Sequence, residues 1–177
     1  MRTKVENLVV LITGGTRGVG LGIAAILKQN QCILVLNGRS DNLMQEESVS
    51  KLEDFSYLPA NISNAQDRVY LINETIKRYG RLDVLVNNAF CSYDANVSSP
   101  LTNCFDKNVD ACYQLCELAF PYLSNSTNGN IINISSASGV LSMAAGNSIP
   151  YAISKAAINH LSRLLAKNYA PKVRVNS

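Results

Sequence analysis

The chain predicts an α/β fold, a doubly wound parallel sheet with helices on both faces, three layers in all. Apolar segments of strand length alternate with segments of helical periodicity along the sequence, the order that builds a parallel sheet through βαβ crossovers. Those apolar strand segments lack alternation, which suits a sheet covered on both faces. The first of them runs into a glycine-rich turn ahead of the first helix: Val9-Val-Leu-Ile-Thr-Gly-Gly-Thr-Arg-Gly-Val-Gly20.

In chain order, residues 8–12 form the first strand, and a helix over 19–28 follows, with Ile23, Ile26 and Leu27 at helical spacing. Residues 32–36 are a second apolar strand. The polar stretch 41–52 reads as a short helical segment, and 55–58 as a third strand stopped by Pro59. Over 64–79, Val69, Leu71, Ile72 and Ile76 stand among charges, an amphipathic helix that Gly80 ends. A fourth strand covers 82–86, and beyond a polar loop one helix covers 101–123. The Asn128-Gly129 turn leads into a fifth strand over 130–134. Pro150 suits the first turn of a helix whose body is 151–169, with Ile158, Leu161 and Leu165 as its core stripe. Residues 173–176 begin a sixth strand. No repeat, linker or low-complexity segment interrupts this order, so residues 1–177 are expected to form one nucleotide-binding domain.

Composition narrows the function. A chain of 177 residues holds one well-cored domain and is too short for two of ordinary size. The net charge of +3 is spread over scattered Lys and Arg, which argues against a nucleic-acid footprint. No stretch approaches the roughly 18 apolar residues of a membrane span, and the 8–12 run is too short for a signal peptide. The five cysteines (Cys32, Cys91, Cys104, Cys112, Cys116) include no CxxC pair and read as reduced thiols of a cytoplasmic protein, packed as small hydrophobes. His160 is the single histidine, so no metal cluster is expected. With no Gly-x-Ser-x-Gly elbow either, a serine hydrolase is unsupported.

The glycine turn places Gly14, Thr16, Arg17, Gly18, Val19 and Gly20 between a strand and a helix, where absent side chains and free N–H groups let a backbone cradle a phosphate. It lacks the Lys-Ser/Thr of an NTP-binding P-loop. At the end of the second strand the chain reads Leu36-Asn37-Gly38-Arg39-Ser40, with no acid before Asp41. An acid there would select a ribose 2′-hydroxyl, whereas a cation suits a 2′-phosphate. Arg39 and Arg17 could flank one phosphate, so NADP(H) is favoured over NAD(H).

Tyr151 and Lys155 stand four apart on one helix face, an ammonium beside a phenol. A phenol is a sluggish acid–base group at neutral pH, and a nearby cation stabilises its phenolate. A hydroxyl donor is also needed to hold a substrate oxygen while charge develops. Ser135, Ser136 and Ser138, just after the fifth strand, lie at the carboxyl edge of the sheet where such folds bind ligands.

With these elements in this order, the chain resembles the short-chain dehydrogenase/reductase family over essentially its whole length. The matching motifs are the 13–20 turn, Asn87-Asn88-Ala89 after strand four, Asn108 in the next helix, Ile134-Ser135-Ser136 after strand five, Tyr151-x-x-x-Lys155 and the closing Val173-Arg174-Val175-Asn176. The resemblance implies a Rossmann-like fold and an oxidoreductase that exchanges a hydride between a nicotinamide and a small-molecule carbonyl or alcohol. In it Tyr151 would be the general acid or base. Lys155 would assist it and hold the nicotinamide ribose. Ser136, with Ser138 as rival, would hold the substrate oxygen, and Asn108 would support a water chain from Lys155. Asn88 and Ala89 would border the adenosine ribose, and Asn61, followed by Ile62, takes the position near adenine. Helices 101–123 and 151–169 resemble those that pair subunits into homodimers or homotetramers.

Three departures qualify the match. Phe90 stands where the family usually has Gly, the 136–151 segment is slightly long, and the chain stops before the family's substrate-covering segment. The sequence therefore also carries a second expectation, a C-terminally incomplete chain of lower stability that keeps the nucleotide site without turnover, as a binding or interaction protein.

Overall fold

The computed structural model describes residues 5–40, 49, 52–92, 96–142 and 148–177. Its strands are β1 (Val9–Ile12), β2 (Ile33–Gly38), β3 (Phe55–Pro59), β4 (Val84–Asn87), β5 (Asn130–Asn133) and β6 (Arg174–Asn176). They form one sheet in the order β3-β2-β1-β4-β5-β6, every pair parallel. The helices are α1 (Gly18–Gln29), α2 (Ala65–Tyr79), α3 (Pro100–Phe105), α4 (Ala111–Leu123) and α5 (Ile149–Tyr169).

Alternate residues of each strand enter opposite cores, which is why no polar alternation shows in the sequence. Leu11, Val35, Leu85 and Ile131 pack with Leu71 and Ile72 of α2, Leu115 and Ala119 of α4, and Ile158 and Leu165 of α5. Val10, Ile12, Leu34, Leu36, Val84 and Val86 turn the other way, toward Ala24, Ile23 and Leu27 of α1. The expected three layers result. Strand order reverses between β1 and β4, so the turns leaving β1, β4 and β5 meet at one edge of the sheet, beside the crevice where such folds bind ligands.

Local boundaries follow local chemistry. Asn64 caps α2, accepting from the N–H groups of Gln66 and Asp67 at 2.8 and 3.4 Å, and Gly80 ends it in the left-handed conformation at φ 69°. β2 runs two residues past the expected Leu36, because Asn37 donates its side-chain amide to the carbonyls of Leu58 and Ala60 and Gly38 pairs with Pro59. β4 begins at Val84 rather than 82, because the Asp83 side chain itself takes the Val9 N–H at 2.8 Å. The single helix expected over 101–123 is broken: α3 and α4 are joined by one π-helical turn, Asp106–Asp110. The short helical segment expected over 41–52 lies outside the described residues except for Val49 and Leu52. Among the described residues no helix is long and apolar enough to cross a membrane.

Candidate active site

The glycine turn is built by close approach. Gly14 and Gly18 have φ of 61° and 53°, the left-handed region that costs glycine least. A Cβ on Gly20 would lie 2.3 Å from the Gly14 carbonyl oxygen and 2.5 Å from the Asn88 amide, so only hydrogen fits there. The first turn of α1 has no side-chain cap, and Gly18 and Val19 are exposed, so its N–H groups face outward. An uncapped, exposed helix start behind a glycine turn fits the pyrophosphate of a nicotinamide dinucleotide.

Asn88 anchors the glycine turn. Its side-chain amide donates to the Thr13 and Gly14 carbonyls, both at 2.9 Å. The Thr13 hydroxyl accepts from the N–H groups of Asn88 and Ala89 at 3.0 and 3.1 Å. Thr13 and Asn88 thus lock the glycine turn to the end of β4. Thr13 was not among the expected site residues, although its place at the start of the turn was the available signal.

At the end of β2, Gly15 donates its N–H to the Asn37 carbonyl at 3.0 Å, and the buried Thr16 packs on Gly38. The residues that follow those two contacts are Arg17 and Arg39. Both are exposed, and among the described residues neither forms an ion pair. Across from them, Asn61 accepts from the Ser63 N–H and donates its own N–H to Asp67 at 2.7 Å. The Ile62 carbonyl accepts from Arg68 at 2.8 Å.

Tyr151, Lys155 and Phe90 form one cluster at the carboxyl ends of β4 and β5. Lys155 is buried, 3% exposed, and its ammonium donates to the Ile134 carbonyl at 2.6 Å. It lies 5.6 Å from the centre of the Tyr151 ring and 5.5 Å from that of Phe90. Burial pushes its pKa below the ordinary lysine value. The carbonyl and the two ring faces act in the opposite sense, favouring the cation. Phe90 packs on Tyr151 with ring centres 5.6 Å apart and yet is 59% exposed. The residue that departs from the family pattern therefore sits directly against the two that match it.

The serine turn docks onto the same helix. Ser135 donates to the Lys155 carbonyl at 3.3 Å. Ser136 caps the short 3₁₀ turn Ala137–Gly139 by accepting from the Ser138 N–H at 3.2 Å. A Cβ on Gly139 would lie 2.7 Å from the Lys155 backbone, which holds this turn flush on α5.

Asn108 sits in the π turn, buried. Its amide oxygen accepts the Cys91 N–H at 2.7 Å, and its amide nitrogen donates to the Cys91 carbonyl and to the Ser154 hydroxyl, both at 2.9 Å. Ser154 in turn donates to the Tyr151 carbonyl at 2.7 Å. One side chain thus ties the segment after β4 to α5 one residue from Lys155. Ser154 was not foreseen, because its value depends on a partner 46 positions away. Beneath lies a polar chain: Asn87 donates to Asn133, which donates to Ser162, each at 2.9 Å. A small cavity of about 10 Å³ is bordered by Asn87, Asn108, Cys112, Asn133 and Lys155. Among the described residues no group of three His, Cys, Asp or Glu could hold a metal ion.

Comparisons agree with this geometry. The family model for short chain dehydrogenases matches residues 8–177. An L-fucose dehydrogenase of Oryctolagus cuniculus is 32% identical over 95% of the chain, which spans 60% of that relative. Tropinone reductase-like 3 of Erythroxylum coca is 32% identical over 98% of the chain, which spans 69% of it. The ligand-free aldohexose dehydrogenase of Thermoplasma acidophilum superposes with a TM-score of 0.84 at 26% identity, covering 97% of this chain and 65% of that one. Glycine turn, tyrosine–lysine helix and parallel sheet thus come together in a chain that belongs to the short-chain dehydrogenase/reductase family.

Proposed function

We propose that this chain carries the nucleotide-binding and catalytic residues of an NADP(H)-dependent oxidoreductase acting on a carbonyl or a secondary alcohol. The observation that carries this reading is the placement of Tyr151 and Lys155 on one helix at the sheet edge that also holds the glycine turn. When bound, the nicotinamide supplies or takes up the hydride.

The chain's own residues do the rest. In reduction the Tyr151 hydroxyl gives its proton to the carbonyl oxygen, and in oxidation its phenolate takes the alcohol proton. Lys155, held by the Ile134 carbonyl, stabilises the phenolate and hydrogen-bonds the nicotinamide ribose. Ser136 donates to the substrate oxygen as charge develops there, and Ser138 remains its rival on the same turn. Asn108 holds the 90–92 segment and Ser154, and hence Tyr151, in register. It borders the small cavity next to Lys155, the route for a water-borne proton. Gly14, Thr16, Gly18, Val19 and Gly20 seat the pyrophosphate, while Asn61, Ile62, Asn88 and Ala89 border the adenosine. Arg17 and Arg39 take a 2′-phosphate, supported by their exposure and by the Thr16–Gly38 contact that brings their neighbours together.

A second reading, nucleotide binding without turnover, is favoured by Phe90, which covers both Tyr151 and Lys155. Five unpaired thiols support a reducing, cytoplasmic setting. A groove of about 480 Å³ lined by Tyr113, Leu161, Leu164 and Leu165 supports pairing of two copies through α4 and α5.

Titration of the purified chain with NADPH and NADH in parallel, read by nicotinamide fluorescence, tests the proposal. Tighter NADPH binding that weakens in Arg17→Ala and Arg39→Ala is expected. NADH preference overturns the arginine assignment, and turnover of a ketone or alcohol panel decides between enzyme and binding protein.

A further inference from the structure

Cys91 and Cys104 meet at the wall of this site. The Cys91 thiol donates to the Ser92 carbonyl at 2.9 Å, and the Cys104 thiol points at the same oxygen at 3.5 Å. Asn103, the residue before Cys104, donates its amide to the Cys91 sulfur at 3.6 Å. Burial, then the Cys91 thiol beside it, push the Cys104 thiol pKa up. Both thiols thus converge on one acceptor, and the Cys91 thiol lies close enough to act on the Cys104 thiol. Their settings differ usefully. Cys91 is half-buried in a segment that carries the exposed Phe90 and Ser92, whereas Cys104 is fully buried in α3. Cys112 and Cys116 are also one turn apart, but both are buried in α4 and engaged with Asn133 at 3.3 and 3.9 Å. Cys32 is buried alone.

We propose that Cys91 and Cys104 are a redox-modification site, a dithiol that closes to a disulfide when a peroxide reaches Cys91. The Cys91 thiolate attacks the O–O bond, becoming a sulfenic acid and releasing one water after protonation. The Cys104 sulfur then displaces the sulfenic hydroxyl, forming the S–S bond and releasing a second water. The two thiols lose two protons and two electrons, and the peroxide gains them. Because the Cys91 backbone is clamped by Asn108 and its neighbour Phe90 lies on Tyr151, the bond would fasten the 90–92 segment to α3 with Phe90 over Tyr151 and Lys155. That consequence rests on the proposed active site; the bond does not.

The test treats the reduced chain with hydrogen peroxide, alkylates free thiols after denaturation and maps the peptides. A peptide linking Cys91 to Cys104 is expected, with alkylatable thiols falling from five to three and recovering with dithiothreitol. In Cys104→Ser a Cys91 sulfenic acid trapped by dimedone is expected instead, and Cys112→Ser still forms the bond. Five thiols surviving, a linkage to another cysteine, or Cys91 running on to sulfinic acid while Cys104 stays alkylatable would each overturn the proposal. NADPH binding to the oxidised chain is expected to be at least about tenfold weaker than to the reduced chain. If the bond forms and affinity holds, the link to the site fails. If neither form binds NADPH, it is the proposed cofactor site that fails.

Discussion

Tyr151 and Asp83 show how differently single residues answer to sequence reading. Tyr151 belongs to a motif, and its contacts with Lys155 and Phe90 place it at the proposed reacting centre. Tyr151→Phe removes only the hydroxyl, so turnover should fall by about 10²–10⁴-fold with NADPH affinity retained, measured by steady-state kinetics beside a binding titration. Asp83 carried no signal, yet it is fully buried and accepts from Val9, Arg81 and Ser126. Burial works to raise its pKa, but the hydrogen bonds and the charge of Arg81 prevail and hold it below the usual carboxylate range. Its contribution is therefore present above the unfolded-state value of about 3.9 and is lost as pH falls through the lower folded value. Asp83→Ala, which strands the Val9 N–H, should cost about 1–3 kcal/mol at pH 7, read by urea unfolding. Asp83→Asn should flatten the acid limb of the stability curve. Gly20→Ala meets backbone at 2.3 Å and cannot be relieved by a side-chain rotation. It should destabilise by about 1–3 kcal/mol and weaken NADPH binding with it.

Elements were legible where a period or a breaker marks them, and less so where side chains redirect the backbone. Gly80 after α2 and the apolar runs of the strands gave boundaries within a residue or two. The break between α3 and α4 was invisible, because the sequence over 101–123 carries no glycine and Pro121 lies near its end. What forms the π turn is tertiary: Asn108 is drawn in to satisfy both the N–H and the C=O of Cys91, at the cost of one irregular turn. Asn108→Ala should strand those groups, destabilising the chain by about 1–3 kcal/mol. Native-state hydrogen exchange should show the 90–92 amides opening faster, whereas α1 stays protected.

For the whole molecule, ligand binding and association are the measurable quantities. NADPH at 100 times its dissociation constant should raise unfolding free energy by about 2.7 kcal/mol, seen as a shifted urea midpoint, if the parallel sheet and its edge turns form one cooperative unit. Leu164 is 54% exposed beside the α4–α5 groove. Leu164→Asp should lower the mass measured by light scattering while leaving the circular dichroism of the fold unchanged; an unaltered mass would remove that face from the interface.

The sequence by itself determined the α/β class and the residues with chemistry to offer, because hydrophobic period, glycine spacing and a tyrosine–lysine pair are local patterns. Tertiary structure alone decided what those residues touch. Asn88 is spent on the glycine turn, Phe90 lies across Tyr151 and Lys155, Ser154 becomes the partner of Asn108, and Cys91 comes to rest beside Cys104. Each of those contacts joins different turns or helices, and their distance and direction are set by how helices pack on the sheet rather than by any spacing along the chain.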